Sequence, residues 1–433
     1  MTPGEVAAIL FISFGVLIAL RIPVAFALGL STVPIFFLDD RLTPILMLGE
    51  MTKAYNAFVL LAVPFFILAA NLMNSSGVTN RLIDLSRAIV GHFPGGLGHI
   101  NVVVSMIFAG ISGSSTADAA GIGSVLIPAM KKQGYDAKFT VAITACSSVM
   151  GVIIPPSILM IVWGGIMSVS IGGLFLAGFL PGVLIGLSQM VAVWIYAKIR
   201  HYPIYARTTV REFVLIFAGA FLALMSPAIV VGGVVFGFFT PTEASVIAVL
   251  YTFLIGLFVY RSITIPEIPK VLYETARLAS ISLFCIGTAS AYGWLLAYYQ
   301  IPKTVISWLS PLAFSVTSAG ILFAVIFLFI GCFIDAVPAM IILASVLDPL
   351  SKHVGMHPVH FAIIGVISLA FGLVTPPYGL CLLISCAIAK IRVAEALRDV
   401  MIILIPMLLV LLFVILFPDV ILFLPRLIMP KFV

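Results

Sequence analysis

The chain has 433 residues, of which 63% are hydrophobic and only 9% are charged. A soluble protein carries about 25% charged residues, so this composition excludes a soluble globular protein and predicts that lipid covers much of the surface. The net charge of +6 comes from residues in connecting segments and gives no reason to expect a nucleic-acid partner. The five cysteines lie in apolar surroundings and predict no disulfide framework.

Long apolar segments occur along the whole chain. Residues 1–20 lack the basic start and the small-residue cleavage site of a signal peptide, so we expect a retained first helix. A spanning helix needs about 20 mostly apolar residues, and four later segments reach that length: 173–197, 212–239, 241–260 and 400–425. A basic connection follows the first of them: Lys198, Arg200, Arg207 and Arg211. The positive-inside rule predicts that this connection is cytoplasmic, and we expect on the order of a dozen membrane elements in all.

An internal repeat relates the two halves of the chain. GISGSSTADAAGIGSVLIPAM (110–130) aligns with GCFIDAVPAMIILASVLDPL (331–350), and MGVIIPPSI (150–158) aligns with FGLVTPPYG (371–379). The offset of 221 residues from Gly110 to Gly331 also holds for the proline pairs. Duplicated halves with helix breaks at matching positions are typical of secondary transporters that bind substrate near the bilayer midplane, and the known architectures favour inverted halves.

Each half contains a polar tip between two short apolar arms. The tip at 112–116 lies between arms at about 102–111 and 119–130, and the second tip lies at 331–335. Because the arms are shorter than a membrane span, each tip predicts a re-entrant hairpin. Such backbone is tolerated at membrane depth only where it is buried in protein or lines a cavity.

Each half also contains a proline pair, Pro155-Pro156 and Pro376-Pro377. Proline has no N–H, so the carbonyl four residues earlier loses its helical partner. The carbonyls concerned belong to Gly151, Val152, Gly372 and Leu373. Because unwound carbonyls coordinate Na⁺ in transporters, we predict two sodium sites. The first consists of Ser112, Ser114, Gly151, Val152 and Pro155, and the second of Phe333, Asp335, Gly372, Leu373 and Thr375.

Several polar residues also have a purely structural interpretation. Ser115 as N-cap and Asp118 at N3 fit a capping box, which we expect to explain most of Asp118. The segment Thr-Pro-Thr-Glu at 240–243 is a clearer capping box, with proline at the first helical position. Asp335 could cap the helix that follows it, but an ionisable residue at membrane depth favours a functional role.

Three histidines between 353 and 360 have spacing that suggests a metal, but Gly355 and Pro358 interrupt any helix that would align them. We therefore expect a solvated loop there. Arg21 is expected to reach toward the membrane interface, although contact of Arg21 or Asp118 with an anionic substrate stays open. No nucleophile–base pair, phosphate loop or metal-ligand cluster occurs in the sequence, so an enzyme is not indicated. Channels line a pore with rings from several subunits, which fits poorly with a two-fold repeat around a single buried site.

The motifs GISGSSTADAAGIGSVLIPAMKKQGY, VIIPPSILM, FFTPTEASVIAVLY, CFIDAVPAMIIL and GLVTPPYGLCLL resemble the large membrane subunit of tripartite ATP-independent periplasmic (TRAP) transporters. The resemblance extends from about Pro3 to about Pro418. It implies an all-α polytopic protein of the bacterial inner membrane with two inverted repeats. It also implies Na⁺-driven uptake of a small organic anion, such as sialic acid or a C4-dicarboxylate, by an elevator in which a transport domain moves against a scaffold.

The resemblance further implies partners and a substrate site. The partners are a small four-helix membrane subunit, a soluble periplasmic binding protein and membrane lipid. The substrate site is expected between the hairpin tips, at Ser114, Ser115, Thr116, Asp335, Pro156, Pro377 and Tyr378. The implied division of the chain is scaffold and arm helices at 1–92 and 212–313, transport-domain halves at 93–172 and 314–395, a connection at 173–211 and a C-terminal scaffold helix at 396–433. A stand-alone Na⁺/dicarboxylate or citrate carrier that needs no binding protein stays open as an alternative.

Overall fold

The computed structural model describes residues 1–309 and 314–431, except for the side chains of residues 308 and 309. Within these stretches the regular structure is entirely helical, and no strand occurs. The helices of the first half are α1 (Pro3–Ala19), α2 (Val24–Leu38), α3 (Pro44–Tyr55), α4 (Ala62–Ser75), α5 (Val78–Val90), α6 (Gly96–Ser112), α7 (Ser115–Lys132), α8 (Ala137–Ser148), α9 (Ile158–Met167) and α10 (Ile171–Arg200).

The second half continues with α11 (Val210–Val235), α12 (Pro241–Leu254), α13 (Ile268–Tyr298), α14 (Ile301–Leu309), α15 (Val316–Gly331), α16 (Ala336–His353), α17 (Pro358–Gly372), α18 (Leu380–Ala389), α19 (Val393–Leu416) and α20 (Pro418–Ile428). Several helix bounds keep the offset seen in the sequence. α7 and α16 have 18 residues each and begin at Ser115 and Ala336, which are 221 positions apart. The inverted orientation of the halves and the division into scaffold and transport domain stay predictions, and the predicted boundary at residue 313 lies outside the described residues.

Six helical segments are long and apolar enough to cross a membrane: Phe58–Ser75, Ile171–Arg200, Val210–Val235, Pro241–Val259, Ile265–Tyr298 and Val393–Leu416. Three of the four predicted spans coincide with members of this set. The prediction of one span over 400–425 is wrong, because α19 ends at Leu416 and α20 begins at Pro418. Phe417 between them leaves the helical region (φ −123°, ψ 66°), as expected for a residue that precedes proline.

Uniformly apolar helices occupy two different environments. α17 is buried from Val359 to Gly372, because α15, α16 and α19 pack around it. α11 is as apolar as a spanning helix must be, yet only 22% of its most apolar 18-residue stretch is buried. The side chains of Val214, Leu215 and Phe221 are exposed. A helix that is hydrophobic all round needs protein or lipid around it, so α11 presents its surface to the membrane.

Capping boxes begin two of the helices, α1 and α12. Thr2 and Glu5 close a capping box at the start of α1, where the backbone N–H of Thr2 donates to Glu5 Oε2 at 2.8 Å. The predicted box at 240–243 is confirmed, with the N–H of Thr240 donating to Glu243 Oε2 at 2.8 Å.

The first turn of α17 differs from the solvated loop that we predicted around the histidines at 353–360. His360 is buried there, and its Nε2 lies 2.9 Å from the carbonyl oxygen of Val414, because α17 packs against α19.

Candidate functional site

The first hairpin turns at a left-handed glycine. α6 ends at Ser112, Gly113 has φ +62°, and α7 begins after Ser114. Ser114, and not Ser115 as predicted, is the N-cap, and its side chain accepts from the N–H of Ala117 at 3.5 Å. The helix thus begins one residue earlier than the predicted capping box requires. Both arms are longer than predicted, at 17 and 18 residues, but still shorter than a typical span.

Asp118 is the residue whose role differs most from the prediction. Because the N-cap is Ser114, Asp118 lies beyond the third helical position and closes no capping box. Its side chain is fully buried, and Oδ1 accepts a hydrogen bond from Ser112 Oγ. Oδ2 has no hydrogen-bond partner among the described residues. A buried carboxylate oxygen without a partner is costly, so Asp118 requires a positively charged or hydrogen-donating group that the described chain does not supply.

Gly151 lies in the break between α8 and α9, which we call the first broken helix, and allows it to approach this carboxylate. A Cβ atom at Gly151 would lie 2.5 Å from Asp118 Oδ2 and 2.9 Å from the carbonyl oxygen of Ser114. Only glycine leaves room for such an approach. The hydroxyl of Ser115 is tied to the same region, because its Oγ donates to the carbonyl of Val149 at 3.2 Å. The hairpin tip and the broken helix therefore converge at one point.

The break in the first helix is confirmed. α8 ends at Ser148, a 3₁₀ turn covers Val149–Val152, and α9 begins only at Ile158. The carbonyl of Val152 does not lack a partner, because it accepts from Ser157 Oγ at 2.7 Å. The hairpin closes this gap from the other side, where the N–H of Ile158 donates to the carbonyl of Gly113 at 3.2 Å.

The second break is confirmed as well, since α17 ends at Gly372 and α18 begins at Leu380. Its carbonyls also have partners, contrary to the prediction. The oxygen of Gly372 accepts from the N–H of Thr375 at 3.1 Å, and that of Leu373 accepts from the N–H of Cys381 at 2.9 Å. A carbonyl has two lone pairs, so a cation at these oxygens would use the second one.

The second hairpin crosses its broken helix at a glycine pair. A Cβ atom at Gly372 would lie 2.4 Å from the carbonyl carbon of Gly331. Asp335 precedes α16 with extended backbone, but its side chain makes no capping hydrogen bond. The capping interpretation of Asp335 is therefore not supported by its contacts, and its carboxylate is exposed.

A cavity of about 850 Å³ lies between the two hairpin tips. It brings together these predicted site residues: Ser112, Ser114, Ser115, Thr116, Val152, Asp335 and Leu373. The remaining predicted residues are not in its lining: Gly151, Pro155, Pro156, Phe333, Gly372, Thr375, Pro377 and Tyr378. Phe333 and Tyr378 instead have exposed side chains, and Arg21 does not line the cavity either.

The opposite wall of the cavity was not predicted. It contains the side chains of Asn71, Asn74 and Asn80, with Ser124 from α7 and Ser282 from α13. The two asparagines inside the apolar sequence AVPFFILAANLMNS of α4 were a usable signal, because polar side chains within a membrane helix are costly unless they face a cavity or a partner.

The electrostatics of the cavity are unusual for an anion site. Asp335 carries negative charge into it, and no lysine, arginine or histidine of the described chain lines it. α7 and α16 both begin at the cavity, at Ser115 and Ala336. Helix N-termini carry unpaired N–H groups and a partial positive charge that favour anions.

Broken helices and hairpins that meet at matching positions around one cavity are typical of secondary transporters. The family described as "Tripartite ATP-independent periplasmic transporter, DctM component" matches residues 11–420. The chain therefore belongs to this family of large permease subunits and is a multi-pass protein of the bacterial inner membrane.

Two relatives match nearly the whole chain. The sialic acid TRAP transporter large permease protein SiaM of Vibrio cholerae is 34% identical over 405 residues, which cover 94% of this chain and 95% of that protein. The C4-dicarboxylate TRAP transporter large permease protein DctM of Pseudomonas aeruginosa is 36% identical, with 86% of this chain and 87% of that protein covered. In fold, the chain is similar to the YdaH transporter of Alcanivorax borkumensis (TM-score 0.63, 14% identity, 86% of this chain and 87% of that one).

Proposed function

We propose that the chain is the large membrane subunit of a system that takes up a small organic anion with Na⁺. A sialic acid-like sugar acid and a C4-dicarboxylate are the substrate classes suggested by the names of the relatives. Membership of the TRAP family supports two partners, a small four-helix membrane subunit and a periplasmic binding protein that delivers the substrate.

The observation that carries the proposal is the buried carboxylate of Asp118. One of its oxygens has no partner, the backbone of Gly151 lies beside it, and no basic side chain of the described chain lines the adjacent cavity. A hard cation prefers oxygen ligands. The carboxylate of Asp118, the hydroxyl of Ser112 and the carbonyl of Ser114 supply such ligands in one place. Na⁺ here would neutralise a charge that otherwise opposes folding and substrate binding.

The same hairpin tip faces the substrate. Ser114, Ser115 and Thr116 begin α7 at the cavity, so a carboxylate of the substrate would meet free N–H groups and hydroxyls there. A Na⁺ bound behind this tip lowers the electrostatic cost of placing an anion near Asp335. Each ligand then favours the other by an equal factor, because the coupling of two binding sites is reciprocal.

The second hairpin supports a second Na⁺ site, whose candidate oxygen ligands are less free than those of the first site. The carbonyls of Gly372 and Leu373 and the hydroxyl of Thr375 lie in one segment, but all three already take part in hydrogen bonds. Their remaining lone pairs, together with the free carboxylate of Asp335, form the candidate ligand set. We expect this site to bind Na⁺ less tightly than the site at Asp118.

Uptake in proteoliposomes tests the proposal. The chain is reconstituted with its small subunit, and labelled N-acetylneuraminate or succinate is supplied with the binding protein under an inward Na⁺ gradient. Accumulation that collapses with the gradient supports the proposal, and equal accumulation in K⁺ alone refutes the Na⁺ coupling. Concentrative uptake without the binding protein would instead establish the stand-alone carrier.

A further inference from the structure

The cavity wall opposite the hairpins presents amide side chains. Asn71 and Asn74 lie about one turn apart on α4, and both line the cavity. α4 packs against α12, α13 and α6, whereas α7 of the first hairpin packs against α6, α8 and α18. The amides and the hairpin tip therefore lie on different helices that line the same cavity.

The orientation of the Asn71 amide is determined by its neighbour on α13. The hydroxyl of Thr275 donates its only hydrogen to the carbonyl of Val271 at 2.8 Å. It must therefore accept from Asn71 Nδ2, which lies 2.9 Å away. Thr275 is buried and does not line the cavity. Asn71 itself lines the cavity, and its Oδ1 atom has no hydrogen-bond donor among the described residues, so it is left as an acceptor for a molecule bound there.

Asn74 is free of such a restraint. Its side chain lies against the backbone of Gly121 on α7, where a Cβ atom would come within 3.3 Å of Asn74 Oδ1. It is half-buried and makes no side-chain hydrogen bond to the rest of the described chain. Both its donors and its acceptor are therefore available to a molecule in the cavity.

These orientations distinguish between chemical groups. A carboxylate only accepts hydrogen bonds, whereas a hydroxyl or amide group of a substrate also donates. The fixed Oδ1 of Asn71 accepts from a hydroxyl but repels a carboxylate. We propose that Asn71 and Asn74 are specificity-determining residues that bind the hydroxyl or N–H groups of the substrate, so that hydroxylated organic acids are preferred over plain carboxylic acids. This inference rests on the proposed function, in which the hairpin tips bind the carboxylate.

A purely structural role makes a different prediction. The hydrogen bond between Asn71 and Thr275 joins α4 to α13, and interhelical hydrogen bonds of this kind stabilise membrane proteins. If that were its whole role, loss of Asn71 would weaken the binding of every acid alike. Only a recognition role changes the ratio of affinities between acids that differ by a hydroxyl.

Direct binding of L-malate and succinate tests the inference, because these acids differ by one hydroxyl group. The full chain is purified in nanodiscs, and calorimetric titrations are made in NaCl, with N-acetylneuraminate as a third probe. Asn71→Leu and Asn74→Leu are each expected to weaken malate binding about tenfold relative to succinate, as for loss of one partly exposed hydrogen bond. Thr275→Val lets the Asn71 amide turn and is expected to lower the malate-to-succinate preference as well.

Asn56→Leu is the matched control, because Asn56 is exposed at the end of α3 and is not in the cavity lining. It should leave the ratio unchanged. Asn74 makes no hydrogen bond that folding would lose, so its variant keeps the test valid if Asn71→Leu does not fold. If the Asn71 and Asn74 variants lose affinity for malate and succinate by equal factors, the inference is overturned while the proposed function stands. If the wild-type chain binds none of the three acids in NaCl, the proposed function itself fails.

Discussion

Substitution of Gly151 by alanine is the most direct test of the convergence between the first hairpin and its broken helix. The added methyl group would lie 2.5 Å from Asp118 Oδ2 and 2.9 Å from the Ser114 carbonyl oxygen. Non-bonded heavy atoms pack at about 3.5 Å or more, so the hairpin tip and the broken helix must separate by about 1 Å. Gly151→Ala therefore acts on the two oxygen atoms that we assign to the first Na⁺ site.

The expected magnitude follows from the cost of overpacking, which is about 1–3 kcal/mol in a well-packed interior. If this strain is expressed as lost Na⁺ affinity, the dissociation constant rises about 5- to 150-fold. Substrate uptake at saturating Na⁺ should recover at least in part, because the carboxylate of Asp118 is still present. A simple loss of fold would not recover with Na⁺.

The assay measures the Na⁺ concentration for half-maximal uptake together with the thermal unfolding of the purified chain in NaCl and in KCl. Gly232→Ala is the matched control, since no atom lies within 4 Å of a Cβ atom at that position of α11. An unchanged Na⁺ requirement in Gly151→Ala, with the same stabilisation by NaCl as in the wild-type chain, would refute the assignment of a cation to this junction.

Three further predictions concern the other features of the site and the fold. Asp335→Ala should abolish Na⁺-driven uptake while the protein still inserts, because the variant removes the only carboxylate that the described chain exposes in the cavity; uptake at the wild-type rate would exclude this carboxylate from the mechanism. Replacing Pro155-Pro156 or Pro376-Pro377 with Ala-Ala restores the missing N–H groups, so the helix should extend through the break. The Na⁺ concentration for half-maximal uptake should then rise, and an unaltered Na⁺ titration curve would contradict the role of the breaks. Thr240→Ala removes the N-cap of α12 and should destabilise the chain by about 1 kcal/mol without altering the Na⁺ requirement, which thermal unfolding and uptake together would check; Thr264→Ala, at a similar capping box on the connection before α13, provides a comparison at a second helix start.

The local features of the site were accessible from the sequence. Apolar composition required a membrane, the short arms required hairpins, and the proline pairs required breaks near residues 151 and 372, all of which depend on properties of neighbouring residues in the chain. The motifs that carry these features also sufficed to recognise the family. The capping box at 240–243 was predictable for the same reason, because its hydrogen bonds span only three residues.

Contacts between distant segments were decided by the tertiary structure. A shift of one residue in the N-cap of α7 turned Asp118 from a capping residue into a buried carboxylate, and only the approach of Gly151 shows what lies beside it. The hydrogen bond from Asn71 to Thr275 joins residues 204 positions apart. No periodicity in the sequence encodes such a pairing, since it depends on how spanning helices pack. For the same reason α11 and α17, which are similarly apolar, could not be assigned to lipid and to protein until their neighbours were known.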